Sequence, residues 1–199
     1  VCCAGRPADA SVARALGVEN LARKGMQGRA VLVDLVRVFG TDFQDIGYEQ
    51  LMQAMKQCHA TVEPGDMLLL RTGFAELVLS MQGQPDAERL HHSCAALDGG
   101  DPRLLQWITD SGIAALIADN YAVERHPPRR VPQDGTPYPV VPLHENCPFK
   151  LGLLLAELWD LEELADALHA LGRTRCLLTA PPLRLPGAVG SPVTPIATI

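Results

Sequence analysis

His144 and Glu157 are the residues of this chain whose types and spacing best suit chemistry. They bracket a short turn ahead of Leu158-Trp159-Asp160-Leu161. A neutral imidazole and a carboxylate brought together can bind a divalent metal or polarise a water molecule, and both ligand types suit Zn or Mn. No compact His/Asp cluster with ligand spacing precedes His144. The pair therefore indicates half of a hydrolytic site, while a structural histidine and a surface carboxylate are the plainer alternatives.

Three further charged residues follow predicted strands, where α/β proteins commonly place their sites. Asp119 and Glu124 come after an apolar run. They could orient a substrate, or they could hydrogen-bond the amides of a turn. Arg71 ends another apolar run and could bind a substrate carboxylate, or it could be buried against Asp34 or Asp119. We expect Asp119, Glu124 and Arg71 to be substrate-binding candidates.

Length and composition indicate a globular protein with one core. The 199 residues are 47% hydrophobic and 20% charged, which is ordinary for a globular domain. The net charge of -6, with scattered basic residues, disfavours nucleic acid as a partner. No apolar run approaches the roughly 20 residues that cross a bilayer, so we expect no membrane contact and a cytoplasmic location.

Apolar periodicity predicts alternating strands and helices. The Pro-rich segment 125–139, with Arg125, Arg129 and Arg130, predicts a loop or lid, and the polar segment 81–100 predicts a surface excursion. Predicted helices cover 9–24, 48–59, 101–111 and 160–171, and predicted strands cover 29–36, 67–70, 113–118 and 176–178.

Several short motifs, in their order along the chain, resemble the cyclase family that includes kynurenine formamidase and isatin hydrolase. The resemblance covers essentially the whole chain. It rests most on the tail and on the segments around His144 and Glu157. The motifs are Val31-Leu32-Val33-Asp34, Pro64-Gly65-Asp66, Leu70-Arg71-Thr72-Gly73, Pro142-Leu143-His144, Ala156-Glu157-Leu158-Trp159-Asp160-Leu161, Ala180-Pro181-Pro182 and Gly187-Ala188-Val189-Gly190-Ser191-Pro192.

The resemblance implies a swivelling β/β/α fold with a mixed sheet packed by helices, in a single domain over 1–199. It also implies a homodimer and a divalent-metal site, with Zn or Mn, that hydrolyses a C–N bond in a small amide, formamide or lactam. His144 and Glu157 match the later metal and catalytic residues of the family. The family's upstream H-x-G-T-H-x-D-x-x-x-H motif is absent, so we expect the chain to be incomplete at its N-terminus.

A rival hypothesis follows from the missing motif. Two ligands are fewer than the three or four that a zinc site uses. A relative that keeps the fold without catalysis would bind a small ligand or a partner subunit in the former pocket.

Overall fold

A computed structural model describes residues 13–129, 131 and 137–199 of the chain. Within them, strands and helices alternate along the sequence. The strands are β1 Gln27–Asp34, β2 Gln44–Ile46, β3 Met67–Arg71, β4 Ala95–Leu97, β5 Ala115–Ala118, β6 Leu154–Ala156, β7 Arg175–Thr179 and β8 Ile196–Thr198. The helices are α1 Val18–Lys24, α2 Leu35–Phe39, α3 Tyr48–Gln57, α4 Phe74–Ser80, α5 Ala87–His91, α6 Pro102–Ser111, α7 Pro142–His144 and α8 Glu162–Ala170, with a π-helix at Glu145–Leu151.

The larger of two compact units, Ala30–Arg175, contains a parallel sheet. Its strands lie in the order β6, β5, β3, β1, and every neighbouring pair is parallel. β3 is an unbroken apolar run up to Arg71 and is buried throughout, as expected for a parallel strand covered on both faces. Because parallel strands end at one edge, Asp34 pairs in register with Arg71, and Asp119 and Glu157 directly follow β5 and β6.

Helices with one apolar face pack against the core of this unit. α3 buries Leu51, Ala54 and Met55, and α6 buries Leu104 and Ile108, at the spacing of one helical face. These residues join Val31, Leu68 and Leu116 of the sheet in one hydrophobic cluster. The mixed α/β fold with a sheet packed by helices is therefore confirmed.

Asp101 fixes the start of both helices. One carboxylate oxygen accepts the N–H of Arg103 at 2.9 Å in the first turn of α6, and the other accepts the N–H of Tyr48 at 2.8 Å at the start of α3. A capping side chain stabilises a helix because the first N–H groups have no partner within it.

We expect Asp101→Ala to lower the free energy of unfolding by about 2 kcal/mol, since each lost cap costs about 1 kcal/mol. Urea denaturation would measure the change, with Asp110→Ala as the control. Asp110 is exposed, and among the described residues it bonds only Gln106 of its own helix. Equal stability of the two variants would show that Asp101 does not stabilise the starts of α3 and α6.

Some predicted elements differ in extent from the structure. The predicted strand 29–36 ends at Asp34, because the Asp34 carboxylate accepts the N–H of Arg37 and begins α2. The predicted surface excursion 81–100 is wrong in its second half. β4 pairs there with β2, and Ala95 and Leu97 are buried.

The second unit comprises Cys176–Ile199 and the described residues before Ala30. Its helix begins at Val18, later than the predicted start at 9; residues 9–12 lie outside the described residues, and 13–17 are not helical. β7 pairs antiparallel with β8, which the sequence analysis did not predict. Gly187 bonds both to the N–H of Ala13 through its carbonyl and to the Glu19 carboxylate through its own N–H.

No described helix is both long enough and apolar enough to cross a membrane. Cys58, Cys94, Cys147 and Cys176 are free thiols.

In the Pro-rich segment 125–139, Arg130 and residues 132–136 lie outside the described residues. The described remainder carries no helix or strand, as the loop prediction states.

Candidate active site

The structure brings His144 and Glu157 together. His144 ends α7 and begins the π-helix, while Glu157 directly follows β6. Their side chains meet with His144 Nε2 at 3.1 Å from Glu157 Oε1, and each side chain is 32% exposed. A ligand arriving from solvent could therefore reach both groups.

Glu124 holds His144 from the other side. Its side chain is completely buried, and Oε1 lies 2.9 Å from His144 Nδ1. The same carboxylate accepts the backbone N–H of His144 at 3.0 Å and that of Leu143 at 2.9 Å. The orientation of the imidazole is thus fixed by a buried group that also fixes the backbone beneath it. The geometry gives Glu124 a direct role in placing His144; its predicted contact with substrate stays a prediction.

Both imidazole nitrogens face carboxylates, which favours the doubly protonated ring. The hydrogen bonds that His144 donates to Glu124 and, next in size, to Glu157 raise its pKa to about 9, although desolvation acts in the opposite direction. Without a competing cation, His144 is therefore an imidazolium at neutral pH and keeps a proton on Nε2 beside Glu157.

This raised pKa makes stability depend on pH in a defined direction. The protonated ring stabilises the metal-free fold fully below its ordinary pKa of 6.5, and the contribution is lost as pH rises through about 9. The stability advantage of the wild type over His144→Gln should therefore shrink between pH 6 and pH 10. Urea denaturation of both proteins at several pH values would test this, and a constant difference would contradict it.

Gly99 leaves the space that Glu124 occupies. A Cβ added at Gly99 would overlap Oε2 of Glu124 and would lie 3.2 Å from the backbone nitrogen of Leu143. The buried carboxylate has no route to solvent, so it cannot move aside without losing its bonds to Leu143 and His144. No side chain larger than hydrogen fits this position without displacing Glu124.

We expect Gly99→Ala to lower the pKa of His144 toward 6.5 and to destabilise the fold by about 1–3 kcal/mol through overpacking. NMR titration of the imidazole and urea denaturation would measure the two effects. Gly190→Ala is the control, because nothing lies within 4 Å of a Cβ added there. An unchanged His144 pKa in Gly99→Ala would show that Glu124 does not depend on this space.

Asp119 orders the turn after β3. Its carboxylate accepts the N–H of Thr72 at 2.7 Å, the hydroxyl of Thr72 at 2.6 Å and the N–H of Gly73 at 2.8 Å. Burial raises the pKa of Asp119, although these hydrogen bonds act in the opposite direction. The contacts match the turn-binding alternative from the sequence analysis, and contact with a substrate stays a prediction.

Arg71 is held among carboxylates. Its Nη1 lies 3.1 Å from Oδ2 of Asp34, which is 1% exposed, and its Nε donates to Glu162 at 2.8 Å. Nη2 contacts Glu76 and Glu162. The pairing with Asp34 fits the structural alternative, and the predicted pairing with Asp119 is not formed, because the Asp119 carboxylate is turned to Thr72 and Gly73. Binding of substrate by Arg71 stays a prediction.

His144 and Glu157 provide donor types that suit a divalent metal, but two donors are fewer than a metal site needs. Metal-binding histidines usually donate their second ring N–H to a carboxylate, and Glu124 accepts from Nδ1 in this way. That leaves Nε2 beside an oxygen of Glu157 as an N,O donor pair. Among the residues that the structure describes, however, no group of three or more His, Cys, Asp and Glu side chains could hold a metal ion.

The sequence leaves two roles open for Glu124, a substrate contact or hydrogen bonds to turn amides, and the structure shows bonds to the backbone amides of Leu143 and His144. Its contact with the imidazole of His144 was not predicted, because twenty positions separate the two residues and no local pattern joins them. Gly99 was also missed. A glycine two positions before a predicted helix cap reads as an ordinary turn.

Comparison with known proteins shows the family of the chain. The Cyclase family model matches residues 7–125. A solved structure of a novel cyclase is 33% identical with a TM-score of 0.76; the match covers 92% of this chain and 57% of that structure. Comparison with curated proteins gave no match.

Two more distant structures share the fold. Isatin hydrolase A from Labrenzia aggregata, bound to benzyl benzoate, is 15% identical with a TM-score of 0.62, over 91% of this chain and 64% of that one. A "predicted metal-dependent hydrolase" from Bacillus stearothermophilus is 19% identical with a TM-score of 0.54, over 85% of this chain and 62% of that one. This chain spans less than two thirds of each of the three structures. By its match over 7–125, together with its fold, the chain belongs to the cyclase family.

Proposed function

We propose that this protein is a metal-dependent hydrolase that cleaves a C–N bond in a small amide, formamide or lactam. The observation that carries the proposal is the pair of hydrogen bonds that His144 makes, one to buried Glu124 and one to partly exposed Glu157. Hydrolases of this fold support it, since one of the similar structures is an isatin hydrolase and another is described as metal-dependent.

His144 Nε2 and a Glu157 oxygen would be two ligands of a Zn or Mn ion, and further donors would come from outside the described residues. A bound divalent ion of this kind polarises a carbonyl and lowers the pKa of water. Glu124 keeps its proton-accepting contact with Nδ1, so the ring cannot turn and Nε2 stays directed at Glu157. When no ion is bound, the protonated Nε2 donates a hydrogen bond to Glu157 Oε1 at 3.1 Å.

A substrate panel would test the proposal. The purified protein, treated with a chelator and then supplied with Zn or Mn, would be assayed against N-formyl anilines, simple lactams and isatin. We expect ring opening or deformylation of at least one compound only with metal. Esters of matched size are the control for non-specific hydrolysis. No metal-dependent turnover with any compound would contradict the proposal.

A second function has one specific observation in its favour. Both ring nitrogens of His144 already face carboxylates, so the cluster is electrostatically satisfied without a cation. A non-catalytic relative could keep this cluster as structure and bind a small ligand or a partner subunit. Isothermal titration of the same panel would show binding without turnover in that case.

We also propose that the protein acts as a homodimer on a small-molecule substrate. The proposal follows the family resemblance. Light scattering of the purified protein would measure the mass of the assembly, and a strictly monomeric mass at working concentration would contradict it.

A further inference from the structure

A cavity of about 680 Å³ opens beside the end of β1, within the unit Ala30–Arg175. Its volume lies within the range of small-molecule sites. The cavity shares no residue with the cluster of Glu124, His144 and Glu157. Its charged residues and histidines are Asp34, Arg37, His59, His169, Arg173 and Arg175.

The three arginines of this lining are unpaired. Within the described ranges, Arg37, Arg173 and Arg175 form no ion pair or side-chain hydrogen bond. By contrast, Arg71 and Arg125 are both paired with carboxylates. An acidic protein of net charge -6 could neutralise exposed arginines with its own side chains. Here three arginines line one concave surface without that neutralisation.

The one carboxylate in the lining is already engaged. Asp34 accepts from Arg71 Nη1 at 3.1 Å and from the backbone N–H of Arg37 at 3.1 Å, and His169 Nε2 lies 3.4 Å away. Because Arg71 already balances the charge of Asp34, this carboxylate does not neutralise the three arginines of the lining. The lining therefore carries an excess of positive charge that is open to solvent.

The backbone that carries two of the arginines is fixed. The N–H of Arg173 donates to the carbonyl of Leu168 at 2.9 Å, and the carbonyl of Thr174 accepts from Leu32 at 2.8 Å. Arg175 begins β7 with its side chain exposed. A structural alternative exists for Arg173, since a basic residue near the C-terminus of α8 interacts favourably with the helix dipole. This alternative does not explain why Arg37 and Arg175 line the same cavity.

We propose that this cavity binds a small multivalent oxyanion, a molecule that carries phosphate or carboxylate groups. Guanidinium groups bind both through paired, charge-assisted hydrogen bonds, so the shared chemistry is a pair or more of charged oxygens. The histidines on the wall, His59 and His169, can add donors to the same ligand. The site is independent of the proposed hydrolysis, since neither needs the residues of the other.

Isothermal titration of the purified protein with pyrophosphate and with citrate, in chelator-treated buffer of constant ionic strength, tests the site. We expect saturable binding of at least one anion, and the tighter one assigns the phosphate or the carboxylate class. The double variant Arg173→Gln, Arg175→Gln should weaken that binding by about tenfold or more. Arg37→Gln should weaken it in the same direction.

The matched control is Arg89→Gln, which removes one exposed arginine outside this cavity. Thermal unfolding of each variant checks that the fold is kept. Binding that is absent for both anions would overturn the proposal. Binding weakened equally by Arg89→Gln, or unaffected by the cavity variants, would also overturn it, because the interaction would then be general charge attraction.

Discussion

Replacing His144 with Gln should lower metal-dependent turnover by about 10²–10⁴-fold, the range expected when a group that handles protons or charge at the reacting centre is lost. Gln keeps the size and polarity of the side chain but cannot present an imidazole nitrogen to Glu157. Rates of hydrolysis under saturating metal would measure the loss on whichever compound of the panel is turned over.

The control for His144→Gln is His92→Gln, since the side chain of His92 is exposed and, in the part of the chain that the structure describes, bonds only the carbonyl of Glu88. Glu124→Gln should give an intermediate loss of about 10–100-fold, because it alters a residue that positions the imidazole. If His144→Gln kept wild-type turnover, the active site would have to lie elsewhere in the protein.

Replacing Arg71 with Met should lower the free energy of unfolding by about 3–5 kcal/mol, because it leaves the buried carboxylate of Asp34 without its cation. Asp34 is 1% exposed, whereas the other partners, Glu76 and Glu162, are 53% and 32% exposed and can be solvated. Most of the loss therefore comes from one buried pair. Urea denaturation at pH 7 measures it.

Arg103→Met is the matched control for Arg71→Met. Arg103 pairs with Glu49, and both side chains are more than half exposed, so we expect a loss of no more than about 1 kcal/mol. If Arg71→Met cost no more than this control, the burial of Asp34 would not be compensated mainly by Arg71. The remaining contacts of Asp34 with Arg37 and His169 would then be sufficient.

The sequence predicts the strands and helices that are long and strongly patterned. The apolar run 67–70 predicts β3 by its composition alone. Asp101 before Pro102 predicts the start of α6, and Gly112 predicts its end. β8 was missed because three residues provide too little pattern. β4 was missed because polar neighbours surround Ala95–Leu97, and only its pairing with β2 makes it a strand.

Part of the candidate site was predicted from the sequence, and part depends on tertiary packing. The meeting of His144 with Glu157 was predicted through family resemblance, and residue spacing alone left a surface carboxylate as the plainer alternative. The burial of Glu124 behind His144 and the space provided by Gly99 depend on how distant segments pack. No local pattern encodes such contacts. The predicted metal site needs donors that are not found among the described residues.

The metal content of the purified protein decides whether His144 and Glu157 hold a divalent ion. After incubation with Zn or Mn and removal of unbound ion, elemental analysis would give metal per chain for the wild type, His144→Gln and Glu157→Gln. We expect about one ion per chain in the wild type and a clear loss in both variants. A wild type that retains no ion, or variants that retain as much as the wild type, would contradict a metal held by His144 and Glu157.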